Sequence, residues 1–282
     1  MVKLDEKYFD LKQICDSGQC FRMKEMEKNR YGIVAFGKYL EMEQREDGIL
    51  LFCCESEFET VWKEYFDLNF DYAKVMDQID TEDTYLCTAA QYGSGIRILH
   101  QELWEMMISF IISQQNNIKR IRKCIETICE RFGEKKTSQN GTVYFDFPSP
   151  EALATAGEEE LRSCNLGYRS RYIEKTARQV MEWGNLEQLK QLPYAKARTK
   201  LMEFCGIGEK VSDCICLFAL QKKEAFPIDT HIRQVLLEHY PDGFPFERYQ
   251  NFSGILQQYI FYYDLTKEEK RRKERKYVAQ IE

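Results

Sequence analysis

A change of hydrophobic period part-way along the chain most constrains the fold. Before residue 55, apolar and polar residues alternate in short runs. Leu40, Met42 and Gln44 alternate with Glu41 and Glu43, the pattern of a half-buried strand. The segments Tyr31–Phe36, Lys38–Gln44 and Ile49–Cys54 are punctuated by Gly32, Gly37 and Asp47-Gly48. An antiparallel meander is the expected result. Phe58, Val61, Trp62, Tyr65 and Phe66 then recur at helical spacing. From about residue 99 the period is helical almost throughout. Leu103, Met106, Met107, Phe110 and Ile111 form one apolar stripe, and Ile118, Ile121, Ile125, Ile128 and Phe132 form another.

A chain cannot follow both periods in one layer, because each period presents a different apolar face. The expectation is therefore an α+β protein with two domains. Residues 1–98 form a small antiparallel β-rich domain, and residues 99–282 form a larger helical one. The length of 282 residues suits two domains with cores of their own. Loops are marked by Thr137–Gly141, Pro148-Ser149-Pro150, Gly167, Gly184, Pro193 and Pro241–Pro245. The run Lys267–Lys276 has mixed charge and reads as a solvated helix end.

The formal charge of −6 argues at first against a nucleic-acid partner. Its distribution weakens that argument. Residues 1–100 hold 12 basic and 20 acidic residues, whereas residues 101–282 hold 28 and 26. Within 162–200, nine basic residues face only Glu174, Glu182 and Glu187. That stretch reads either as a solvated helix face or as a surface for phosphates. Eleven cysteines without a CxxC pair, behind an N-terminus lacking an apolar core, suggest free thiols in a reducing compartment. Three histidines make a zinc site unexpected. No apolar run is long enough to span a bilayer, so no membrane partner is expected.

The segment 201–220 carries the most chemistry. Two helical patterns flank Gly206-Ile207-Gly208. Glycines permit positive φ and close backbone approach. The second helix starts with unpaired N–H groups, which with its dipole suit a phosphate. The pattern is a helix-hairpin-helix for grasping a nucleic-acid backbone, or else a plain helical hairpin. Lys210 falls in the first turn of that second helix, four residues from Cys214, so the two share a face. A helix N-terminus disfavours an ammonium and so favours the neutral, nucleophilic amine. On its own Lys210 also reads as a solvated lysine. Nineteen residues on, Asp229 is placed to cap the next helix. A capped Asp stays ionised and could oppose a cation forming in a transition state.

Gly206-Ile207-Gly208-Glu209-Lys210 followed by Pro227-Ile228-Asp229 resembles the helix-hairpin-helix DNA glycosylase superfamily, and within it the 8-oxoguanine DNA glycosylase/AP lyase family. Four further segments are similar to that family. They are Ser17-Gly18-Gln19-Cys20-Phe21-Arg22, Ile108–Arg120, Leu166–Tyr172, and the pair Asp213–Leu217 with Gln257–Phe261. Together they span about residues 10–265.

The resemblance implies a bifunctional enzyme that flips 8-oxoguanine, paired with cytosine, out of double-stranded DNA. Lys210 would attack the sugar C1′, expel the base and hold the sugar as a Schiff base before β-elimination. Asp229 would stabilise the oxocarbenium-like sugar. Gly18, Cys214, Gln257 and Phe261 would bind the base. Normal guanine has an acceptor at N7, while the oxidised base carries a hydrogen there, which the Gly18 carbonyl could accept. Gln257 would read the Watson–Crick edge, and Phe261 and Cys214 would sandwich the ring. Gln115, Asn116, Arg120, Tyr168, Arg169, Gly206, Gly208 and His231 would contact DNA. Among them Tyr168 is the wedge, Arg120 and Arg169 address the estranged cytosine, and His231 meets a phosphate. Taken singly, Phe261 and Tyr259 read as core, and Cys214 as a small buried hydrophobe.

Three positions depart from the family pattern. Gln115 stands where the family has Asn, Cys205 replaces the Pro before the hairpin glycines, and Met23 follows Arg22 in place of Trp. No metal is expected in the site. No Cys follows Cys216, which excludes the four-Cys iron–sulfur cluster of endonuclease III-like relatives, while a cation held by the hairpin stays compatible. The expected enzyme is a monomer of the bacterial cytosol and nucleoid, or of a nucleus. A related glycosylase for another damaged base and a non-catalytic DNA-binding module are the competing readings. The module has no need of both Lys210 and Asp229.

Overall fold

The computed structural model describes the backbone of residues 1–278 and the side chains through residue 267. All but the first residue of the mixed-charge run Lys267–Lys276 therefore lies outside the described side chains.

The N-terminal region is a five-stranded antiparallel sheet in the order β1-β5-β4-β3-β2. Its strands are β1 (Val2–Leu4), β2 (Met23–Glu27), β3 (Arg30–Ala35), β4 (Lys38–Arg45) and β5 (Gly48–Leu51). Register follows the alternation. Ile33 pairs with Leu40 and Met23, while Met42 pairs with Tyr31 and Leu51, which gathers these residues on one buried face. β5 ends at Leu51, so Phe52–Cys54, expected to continue that strand, lie beyond it. β1 and β2 were not foreseen. Four of the five residues of β2 are exposed, so this edge strand carries no apolar signature.

A second sheet, β6 (Lys135–Thr137) with β7 (Val143–Phe145), stands in the helical region where only a loop was expected. Its three-residue strands are too short for a periodic signal. This hairpin docks on the first sheet. The Tyr144 hydroxyl donates to the Gly37 carbonyl at 3.0 Å, and its ring stacks on Tyr39.

Two apolar cores result. The smaller packs the sheet on Leu11, Ile14, Trp62, Tyr65, Phe66 and Leu99. The larger joins the helices and also takes in Phe21 and the apolar residues of 72–98. Arg97 bridges the two. It is fully buried, and its guanidinium donates to the carbonyls of Tyr8, Phe66, Asp67 and Phe70. Such saturation is what makes a buried cation tolerable.

The Leu103–Ser113 helix is the axis of the larger core. Every residue from Glu105 to Ile112 is buried, so it is covered all round and not along one stripe as its sequence suggested. The helices Ile118–Phe132, Arg169–Trp183 and Glu209–Phe218 pack around it. It thereby brings residues 114–120, 168–172 and 206–214 to one end of the fold.

Candidate active site

The hairpin is formed by the helices Tyr194–Leu201 and Glu209–Phe218. Its two glycines serve different ends. Gly206 has φ +82°, and a Cβ there would lie 2.7 Å from the Tyr172 Cβ. Gly208 caps the second helix, and nothing lies within 4 Å of the place a Cβ would take. Gly206 is thus demanded by the fold, while Gly208 leaves the helix N-terminus open to a ligand. Cys205 shows why the family's proline is dispensable here. Its N–H donates to the Gln179 Oε1 at 2.7 Å, and its carbonyl accepts from the Thr176 hydroxyl at 2.6 Å. Proline has no N–H to give, so hydrogen bonding replaces ring rigidity in this turn.

Asp213 stands in a segment that the resemblance assigned to the base pocket. Its carboxylate instead accepts from the Tyr194 hydroxyl at 2.6 Å and the Arg198 Nε at 2.7 Å, locking the two hairpin helices together. Its pKa is raised, chiefly by burial, against the pull of those two donors.

Lys210 lies one turn before Cys214, with Nζ 5.3 Å from the Phe110 ring centroid. Burial pushes the Cys214 thiol up to about 11, against the pull of Lys210, and the carboxylate of Asp229 adds to the rise. Cys214 therefore stays neutral and presents a small apolar wall. The Cys214 thiol thus feels the charges of both Lys210 and Asp229. Asp229 caps the Thr230–His239 helix as expected, accepting from the Ile232 N–H at 2.8 Å.

Gly18 and Phe261 meet although 243 positions separate them. A Cβ on Gly18, where φ is +76°, would lie 3.2 Å from the Phe261 ring. The Gly18 loop is held by Gln19, which is fully buried. Gln19 donates to Arg97 and accepts from the Leu99 N–H. His231 packs edge-on to Phe261 and pairs with Asp264 at 2.9 Å. Gln257, expected to read the base edge, has protein partners on both sides of its amide. It is 4% exposed, donates to the Pro227 carbonyl at 3.0 Å and accepts from Gln258. Tyr259, read as core when taken singly, is fully buried.

The wedge region is split in character. Tyr168 is 44% exposed at the start of the Arg169–Trp183 helix, after Gly167 at φ +59°. Arg120 is exposed and donates to the Asn165 carbonyl. Gln115 is exposed in a left-handed conformation at φ +46°, an uncommon state for a residue with a side chain. Asn116 donates back to Ile112, and Asn117, which sequence reasoning passed over, caps the Ile118–Phe132 helix. Arg169, expected at the estranged cytosine, is engaged within the protein. It is 4% exposed, and its guanidinium is spent on the carbonyls of Gln114, Gln115 and Leu166.

The basic stretch at 162–200 is also less basic in space than in sequence. Arg162, Arg178, Lys190, Arg198 and Lys200 pair with Glu158, Glu174, Glu187, Asp213 and Glu203. Among the described residues, no group of three or more His, Cys, Asp or Glu side chains could hold a metal, and no helix is long and apolar enough to cross a membrane. All eleven cysteines are free.

Two family models match the chain. Residues 1–107 match the 8-oxoguanine DNA glycosylase N-terminal domain, and residues 108–243 match the HhH-GPD superfamily of base excision DNA repair proteins. The crystal structure of the Clostridium acetobutylicum 8-oxoguanine glycosylase/lyase, in complex with double-stranded DNA containing cytosine opposite 8-oxoguanine, superposes with a TM-score of 0.87. Identity is 34%, over 95% of this chain and 99% of that one. The Saccharomyces cerevisiae N-glycosylase/DNA lyase is 31% identical over 258 residues, covering 82% of this chain and 68% of its own length. The Arabidopsis thaliana N-glycosylase/DNA lyase is 29% identical over 83% of this chain and 67% of its own. With residues 1–243 matched in order and the fold shared over 95% of the chain, this protein belongs to the 8-oxoguanine DNA glycosylase family of the helix-hairpin-helix superfamily.

Proposed function

We propose that this chain excises 8-oxoguanine from double-stranded DNA and cleaves the resulting abasic strand by β-elimination, using Lys210 as nucleophile. The carrying observation is Lys210 in the first turn of the second hairpin helix, against Phe110 and one turn from Cys214, beside an open helix N-terminus at Gly208. In this reading Gly208 and its neighbours receive a phosphate, and the flipped nucleotide enters between Cys214 and Phe261. The Lys210 amine attacks C1′ as the bond to the base breaks, and the base leaves with the electron pair and takes up a proton. The Asp229 carboxylate opposes the positive charge that develops on the sugar. Ring opening yields a Schiff base, loss of a C2′ proton expels the 3′ phosphate, and hydrolysis frees Lys210.

The Gly18–Phe261 contact supports the base pocket, since these residues converge from opposite ends of the chain. In the bound form Phe261 swings off Gly18, and Gln257 exchanges its protein partners for the base. No metal or iron–sulfur group enters any step, and the protein acts as a monomer in the compartment that holds the DNA.

Borohydride trapping tests the reading. Wild type should form a covalent adduct with duplex carrying 8-oxoguanine opposite cytosine, and less with alkylated or uracil-containing duplex. Lys210→Gln should form none. A wild type without adduct overturns the Schiff base, and strong trapping on another lesion shifts the assignment to a related glycosylase. An adduct that persists in Lys210→Gln moves the nucleophile elsewhere.

A further inference from the structure

Gln114 is absent from the roles that the resemblance assigns, yet it stands at the junction of two of them. It ends the Leu103–Ser113 helix. Its side-chain Nε2 donates to the carbonyl of Gly206 at 2.8 Å, four residues before Lys210. Its own carbonyl accepts from the Arg169 Nε at 2.9 Å. Arg169 also donates to the carbonyl of Gln115, at 3.0 Å, and its guanidinium lies 4.7 Å from the Tyr168 ring centroid. Tyr168 packs edge-on against Tyr172, whose Cβ abuts Gly206. These contacts close a ring. It runs from the Tyr168 wedge through Arg169 and Gln114 to the hairpin turn, and back through Tyr172.

We propose that Gln114 is a positioning residue that couples the opposite-base side of the site to the hairpin bearing the nucleophile. The proposal builds on the excision reading above. Gln115 is the exposed, left-handed residue next in the chain, so a base pressed against it acts directly on the Gln114 backbone. A left-handed glutamine has little freedom to yield within its own well. The displacement passes to its neighbours, which are the Arg169 clamp and the Gln114 amide. The base opposite the lesion is thereby read at the chemical step, through the placement of the Gly206–Lys210 turn, and not only in binding. Arg169 takes part as the buried clamp on the Gln114 and Gln115 carbonyls.

The test separates chemistry from affinity. Single-turnover excision of 8-oxoguanine is measured opposite each of the four bases, beside the equilibrium Kd for duplex carrying a reduced abasic site. In Gln114→Met, which keeps the length and loses the donor, the rate opposite cytosine should fall about tenfold relative to the rates opposite the other bases. That corresponds to about 1.4 kcal/mol of selectivity. The Kd should move less than twofold. Combining it with Gln115→Ala should add little to the lost selectivity, since coupled residues are non-additive.

Three results overturn the coupling: unchanged selectivity in Gln114→Met, an equal fall opposite all four bases, or a Kd that shifts as much as the rate. Should Gln114→Met not fold, Gln114→Asn carries the same test, because its shorter amide cannot reach Gly206. A wild type that excises equally opposite every base also overturns the coupling and leaves the excision reading standing. A wild type that excises nothing fails that reading first.

Discussion

The two hairpin glycines make a sharp prediction, because alanine at each meets a different obstacle. At Gly206 the backbone is left-handed, which costs an L-residue about 1–2 kcal/mol. The new Cβ would lie 2.7–2.9 Å from the Cβ, Cγ and Cδ2 of Tyr172. Those atoms sit at the root of a side chain on a packed helix, so no rotamer change clears them. Overpacking of that kind adds about 1–3 kcal/mol. Gly206→Ala should therefore destabilise the protein by about 2–5 kcal/mol, a large share of the roughly 5–15 kcal/mol typical of folded proteins. At Gly208 the backbone is extended and the Cβ meets open space, so the stability loss should stay within about 1 kcal/mol. Its effect should fall on DNA instead. Losing one charge-assisted contact of about 1.5–3 kcal/mol weakens the Kd by roughly ten- to a hundredfold. Urea unfolding followed by tryptophan fluorescence suits the first measurement, since Trp183 packs on Phe204 beside the turn. Anisotropy of a labelled duplex suits the second. A Gly206→Ala protein within 0.5 kcal/mol of wild type, or a Gly208→Ala protein that binds DNA normally, would refute the division of labour.

Two further outcomes follow from buried charges. Arg169→Ala removes the donors to three backbone carbonyls and should cost about 2–4 kcal/mol in urea unfolding; a loss below 0.5 kcal/mol would return Arg169 to a role at the DNA surface. Glu105 pairs with Arg22 at 3.3 Å, yet burial pushes its carboxyl up from 4.5 to about 7. The folded state then holds the proton more tightly than the unfolded one, so stability should fall as pH rises from about 4.5 to 7, by up to about 3 kcal/mol. Glu105→Gln should flatten that slope; an unchanged slope would assign it to other groups.

Much of this protein was legible in its residues alone. The change of period separated a sheet region from a helical one, and Gly206-Ile207-Gly208 located the hairpin. Asp229 announced its own cap, and the spacing of Lys210 and Cys214 put them on one face. Each of these depends on neighbours within a turn or a strand pair, so local sequence determines them. What only the tertiary structure decided is where polar side chains spend their hydrogen bonds. Arg169 found Gln114, 55 positions away, and Gln114 found Gly206, 92 positions away. Asp213 turned to the first hairpin helix, and Gln257 to Pro227. Five of the nine basic residues in 162–200 took acidic partners. Long polar side chains have many rotamers of similar energy, and burial selects among them by demanding a partner. That demand is set by what the fold brings alongside, which no local pattern contains.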